Sequence, residues 1–154
     1  MKISEEALAH LEDIGVSVSA VDIVEEYADK SGYRVFCAEN GLHYIHSAVG
    51  RNTIWIGYAE TDGERELRDC YTHRMSIRDE YAGKSVQRAE GPAPAATHCE
   101  CCNRELAESR VFLRYLCYPF VLALPRCPQC GQVFLTPEIM RKKVAPVEKN
   151  LEDK

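Results

Sequence analysis

The sequence predicts an α+β fold: two N-terminal helices packed on a four-stranded antiparallel meander, followed by a small C-terminal unit held by cysteine ligands. Three observations carry this. Two capped amphipathic patterns fill the first 32 residues, β-branched and aromatic runs separated by turn dipeptides follow, and two Cys-x-x-Cys pairs stand in the last third.

Ser4 is a good N-cap, Glu5 and Glu6 place negative charge in the first turn, and Gly15 closes a helix running to Asp13. A second helix is expected from Ser19, where Asp22 completes a Ser-x-x-Asp capping pattern. Ala20, Ile23, Val24, Tyr27 and Ala28 share one face, and Gly32 supplies the left-handed stop. Four strands then read as Tyr33–Ala38, Leu42–Val49, Thr53–Ala59 and Glu66–Ile77, parted by Asn40-Gly41, Gly50-Arg51-Asn52 and Asp62-Gly63. On the third strand Ile54, Ile56 and Tyr58 alternate against Thr53, Trp55 and Gly57, so the helices are expected to cover one face only. Residues 78–90 read as a charged exit segment.

The run Gly91-Pro92-Ala93-Pro94-Ala95-Ala96-Thr97 lacks periodicity and large side chains, which makes it a stiff connector. It divides the chain into an α+β unit at 1–90, a linker at 91–97 and a metal-binding module at 98–154. A module that small buries too little apolar surface to fold comfortably alone, so a structural ion has an energetic role there.

The net charge of −5 is uneven: residues 1–91 carry 10 basic and 17 acidic side chains, residues 92–154 carry 9 and 7. An acidic front half repels phosphate, and Arg141-Lys142-Lys143 is too small a run to announce nucleic-acid binding. Without an export signal or an apolar run of spanning length, a soluble cytoplasmic protein away from membranes is expected, and there paired cysteines read as metal ligands or redox thiols.

Two residues between paired cysteines allow a tight turn to aim both sulfurs at one tetrahedral ion. Such turns end in a left-handed residue. Gly131 fills that position after Cys127-Pro-Gln-Cys130, and Asn103 fills it after Cys99-Glu-Cys-Cys102. The equivalence assigns Cys99, Cys102, Cys127 and Cys130 as the ligands and leaves Cys101 pointing away, like Gln129. His98 does not reproduce the spacing either. The 24 residues between the pairs suit one hairpin, Arg110–Leu116 and Phe120–Leu124 around Cys117-Tyr118-Pro119, with Val133–Leu135 as a third strand. Thr136 then caps a helix with Pro137 at its first position, which Pro146 is expected to interrupt. Knuckle, hairpin, knuckle and strand together outline a zinc ribbon.

The run Cys127-Pro-Gln-Cys130-Gly131, with Val133-Phe134-Leu135-Thr136-Pro137-Glu138 and the tail Val147–Lys154, resembles small zinc-ribbon "redox proteins" of anaerobic bacteria, associated with gene neighbourhoods of molybdenum or tungsten enzymes. The resemblance covers the last third and implies an accessory role beside a redox enzyme or its maturation machinery.

Four thiolates suit zinc or iron alike. A first knuckle without glycine and with the extra thiol of Cys101 favours zinc; the aromatics Phe112, Tyr115, Tyr118, Phe120 and Phe134, able to shield a redox ion, favour iron. His43, His46 and His73 with Cys37 and Cys70 suggest a second metal site, but strand positions three apart face opposite sides, so His43 and His46 share an ion only if a bulge intervenes. Ordinary strand histidines and buried cysteines are the expectation. Tyr71, His73 and Arg74 near Trp55 are a candidate ligand or partner surface. Nucleotide-loop, metalloprotease and nucleophile-elbow patterns are all missing. The expectation is therefore a non-catalytic zinc-binding adaptor that docks to a protein partner. The alternatives are a rubredoxin-like electron carrier or thiol redox protein, and then a nucleic-acid-binding ribbon.

Overall fold

The first helix, α1 (Glu5–Ile14), starts and stops where its caps place it. The Ser4 hydroxyl accepts from the Ala7 N–H at 3.1 Å, and Gly15 takes φ 76° while its N–H returns to the last turn. The computed structural model that gives these positions describes residues 1–77 and 91–152, so the expected exit segment at 78–90 lies outside the described residues.

Helix α2 (Val18–Ser31) begins earlier than its Ser-x-x-Asp pattern suggests, with Ser17 as the N-cap accepting from Ala20 N–H. This choice puts Val16 just before the cap and Val21 in the first turn, both buried, which is the spacing of a hydrophobic staple. The buried face is accordingly Ala20, Val21, Val24 and Ala28, while Ile23 and Tyr27 stay exposed.

Strands β1 (Val35–Cys37), β2 (Leu42–Val49), β3 (Asn52–Thr61) and β4 (Glu64–His73) form the expected antiparallel meander. The sheet is nevertheless larger than four strands. Two short segments, β6 (His98–Cys99) and β7 (Arg104–Glu105), add to its β1 edge, giving the order β4-β3-β2-β1-β6-β7. The expected fourth strand is also broken: β4 ends at His73 and β5 (Ser76–Ile77) turns away into a second sheet. Glu148 marks the break, accepting the N–H groups of Arg74 and Met75 at 2.8 and 2.9 Å.

The second sheet has the order β5-β8-β9, built on the hairpin β8 (Ala107–Tyr115) and β9 (Tyr118–Arg126). Val133–Leu135 does not become its third strand. That run touches the sheet through a single Arg126–Val133 bridge, and all three of its side chains are buried, so it threads the core instead of alternating across a surface.

Both faces of the first sheet are covered. Ile45, Ile54, Ile56 and Tyr58 pack under the helices, whereas Tyr44, Trp55 and Tyr71 join Val111, Leu113, Leu124, Phe134 and Met140 in a second core shared with the hairpin and the C-terminal segment. Gly57 lies where a Cβ would meet the Tyr44 ring at 2.8 Å, so the absence of a side chain lets that ring cross the strand.

Thr136 caps the last helical run as expected, accepting from Ile139 N–H. Pro146 does not end that run. Helix α3 (Pro137–Ile139) passes through a π-helical segment at Met140–Val144 into α4 (Ala145–Glu152), the wider turn preceding the proline that cannot donate to an α-type ladder. Among the described residues no helix is long and apolar enough to cross a membrane.

Candidate metal centre

Each knuckle owes its shape to one left-handed residue. Asn103 has φ 54° and Gly131 φ 82°, closing the turns of Cys99/Cys102 and Cys127/Cys130 as their positions in the sequence imply. The Gly131 N–H returns to the Cys127 carbonyl at 3.1 Å, and the Cys127 N–H to that of Gln132 at 2.8 Å. The first knuckle is fixed from outside as well: β6 carries Cys99 opposite Val35, and the Glu100 N–H donates to the Arg34 carbonyl at 2.8 Å. Cys127 directly follows β9, so the second knuckle is anchored to the hairpin.

The sulfurs of Cys99, Cys102, Cys127 and Cys130 lie within 4.8 Å of one another, and all four residues are fully buried. A tetrahedral ion with bonds to sulfur of about 2.3 Å places its ligand atoms about 3.8 Å apart. The Cys99 and Cys130 sulfurs are 3.8 Å apart. The donor set and its spacing therefore fit a thiophilic ion, and the four residues named from sequence are those brought together.

N–H groups converge on the sulfurs. Cys102 N–H points to Cys99 Sγ at 3.4 Å, Gln132 N–H to Cys130 Sγ at 3.4 Å, and the Gln132 side-chain Nε2 donates to Cys99 Sγ at 3.0 Å. Such donors offset the excess negative charge of four thiolates around a divalent ion. Gln132 is the functional residue that sequence reasoning missed. Glutamine after a knuckle glycine carries no signal of its own, and its role follows only from β1 lying close enough for Nε2 to reach the Arg34 carbonyl too, at 3.4 Å.

Left to themselves, sulfurs this close share very little negative charge. Hydrogen bonds donated by Cys130 and Cys99 hold the Cys127 thiol far below its usual range, and the same contact with Cys127 drives Cys99 far above it. Burial pushes Cys102 up to about 12, and the hydrogen bond with Cys127 pushes Cys130 up to about 12. A bound cation removes this conflict by stabilising all four ionised forms.

Cys101 is half-buried against the cluster, and the His98 ring faces the Ala96 carbonyl at 2.9 Å, so neither belongs to the group of four. The aromatics that sequence offered as shields lie elsewhere. Phe112 and Tyr118 are exposed, Phe134 is in the inter-sheet core, and the apolar groups packed on the sulfurs are Tyr33, Cys101 and Leu106.

The other candidate residues are dispersed in the packing. His46 stacks on Trp55 with ring centres 4.1 Å apart, and the Trp55 indole donates to His73 Nε2 at 2.9 Å. His43 faces Glu100 at 2.8 Å and stacks on Tyr58, while Cys37 and Cys70 are buried. Tyr71, His73 and Arg74 do not form an open surface: the Tyr71 hydroxyl donates to the Leu135 carbonyl at 2.6 Å, His73 is buried, and Arg74 binds Glu148 and Glu152. A cleft of about 600 Å³ between α1 and β4, lined by His10, Arg68, Asp69 and Arg141 among others, contains none of the four ligands.

No curated protein and no solved structure matches the chain. Residues 95–154, spanning both knuckles, the hairpin and the C-terminal helical run, match a family model described as a domain of unknown function, DUF7479.

Proposed function

We propose that this protein is a non-catalytic zinc protein whose four-thiolate ion holds an interaction module in shape, and that it serves as an adaptor for a protein partner. The observation that carries the reading is the closure of the shell. Four cysteine sulfurs within 4.8 Å of one another, all fully buried, supply the four ligands of a tetrahedral ion and leave no coordination position for water or substrate. Lewis-acid catalysis requires such a position; structural zinc does not. Zinc is favoured over iron because the shell is a closed set of four thiolates, and the aromatic packed on the sulfurs is Tyr33, while Phe112 and Tyr118 are exposed and Phe134 lies in the inter-sheet core. The resemblance of the last third to accessory ribbons near molybdenum and tungsten enzymes supports a redox enzyme, or its maturation machinery, as the partner class.

Elemental analysis combined with a visible spectrum tests this. The expected result is a colourless protein with one zinc per chain. A charge-transfer band bleached by dithionite would instead assign iron and electron transfer, and protein free of metal after expression in zinc-replete medium would sink the reading altogether.

A further inference from the structure

Four of the large apolar side chains open to solvent, Phe112, Leu116, Tyr118 and Val121, belong to the β8–β9 hairpin. Its inner face supplies Val111, Leu113, Tyr115 and Leu124 to the core, and alternation turns Arg110, Phe112 and Arg114 outward. The register sets Phe112 opposite Val121, Arg114 opposite Pro119 and Arg110 opposite Ala123. The result is an apolar centre, with Phe112 52% and Val121 42% exposed, and a guanidinium at each end. Arg110 and Arg114 are four residues apart, about 13 Å along a strand. Among the described residues neither guanidinium has a carboxylate partner.

We propose that this outer face is a docking surface for an extended, acidic protein segment in which two carboxylates bracket an apolar side chain. The charge pattern selects that occupant. A two-fold contact between copies centred on Phe112 would set Arg110 of one against Arg114 of the other. A nucleic-acid strand carries a phosphate at every nucleotide and would find only the two guanidinium groups here, because the β9 positions paired with this strip are Pro119, Val121, Ala123 and Pro125. Addition of a strand at the β9 edge is blunted by Pro119 and Pro125, which have no N–H to offer, so the partner is taken on the face. The proposal deepens the adaptor reading and rests on it in that the ion anchors Cys127 at the foot of β9.

The test uses the full chain, its zinc content measured first. Isotope-labelled protein is titrated with a glycine-flanked Glu-Thr-Leu-Thr-Glu peptide, with its lysine counterpart and with oligothymidylate, and amide shifts are followed by NMR. The glutamate peptide alone is expected to move the resonances of Phe112, Val121 and Ala123. The double variant R110E/R114E, checked for an unchanged circular dichroism spectrum, is expected to bind it about tenfold more weakly. Absence of shifts on the hairpin, stronger binding of oligothymidylate, or self-association through these residues would each overturn the proposal. A negative titration with zinc bound removes only this surface; absence of zinc removes the adaptor reading before any peptide is added.

Discussion

Gln132 and Glu148 show how much of this molecule depends on single buried polar groups. Gln132 holds Cys99 Sγ and the Arg34 carbonyl with one amide, so it joins the four-cysteine cluster to the residue that leads into the first strand of the N-terminal sheet. Its replacement by Leu, Gln132→Leu, is expected to weaken zinc binding by about tenfold or more in competition with a chromogenic chelator. Gln132→Glu should weaken it further, because a carboxylate would then face a thiolate. Equal affinities for the three proteins would show that the amide does not act on the metal. Burial raises the Glu148 carboxyl above its ordinary range, against the pull of the Arg74 and Met75 N–H groups. A carboxyl raised in the folded state contributes stability that is complete below its unfolded value and lost as pH rises through the folded one. Glu148 is therefore a burden at neutral pH. Glu148→Gln, which keeps an acceptor oxygen without charge, is expected to equal or exceed the parent in urea denaturation at neutral pH and to lose that margin in mild acid. Glu148→Ala leaves two N–H groups without an acceptor and should cost about 2 kcal/mol or more. Neither residue was legible beforehand, since a buried hydrogen-bonding role depends on what tertiary structure brings beside it.

Elements whose signals are local matched their sequence. The caps of Ser4, Gly15, Gly32 and Thr136 are where the letters put them, and so are the left-handed residues of both knuckles. Misreadings came where a local pattern competed with packing. Ser19 with Asp22 looked the better cap, but Ser17 brings Val16 and Val21 into the core. Pro146 looked like a stop, yet a π-helical segment upstream carries the chain past it and keeps Met140, Val144 and Glu148 buried. The hairpin turn is a further example: it is expected at Cys117-Tyr118-Pro119, but Tyr118 and Pro119 pair within β9 and the turn is Leu116-Cys117. Leu116 occupies its first position at φ 56°, a left-handed conformation unfavourable for a side chain of that size. Leu116→Gly is expected to raise the unfolding free energy by up to about 1 kcal/mol, the relief of strain exceeding the added chain entropy. A lower melting temperature for this variant would mean that the exposed Leu116 side chain makes contacts outweighing its backbone cost.

At the scale of the whole molecule, the sequence suggests a helix-and-sheet unit at 1–90 tied by a linker to a separate metal-binding module at 98–154. The connectivity of the sheet argues for closer coupling. Strand β6 carries the ligand Cys99 and pairs with β1, and Trp55 shares one core with Phe134 and the hairpin. A strand of two residues pairing across a connector has no periodicity to reveal it, and alternation along β3 could not show that its Trp55 face is covered as well as its Ile54 face. Stripping the metal is therefore expected to shift Trp55 fluorescence and lower the melting temperature of the N-terminal sheet together with the ribbon. Trp55 emission unchanged on chelation would restore the picture of independent units. A structural role for this centre requires a closed shell of four thiolates, and X-ray absorption at the zinc edge of the purified protein reads that shell out directly. It should give four sulfur neighbours at about 2.3 Å and no lighter ligand. A nitrogen or oxygen neighbour in the first coordination sphere would mean that the shell is open, and would contradict the assignment of this centre to structure instead of chemistry.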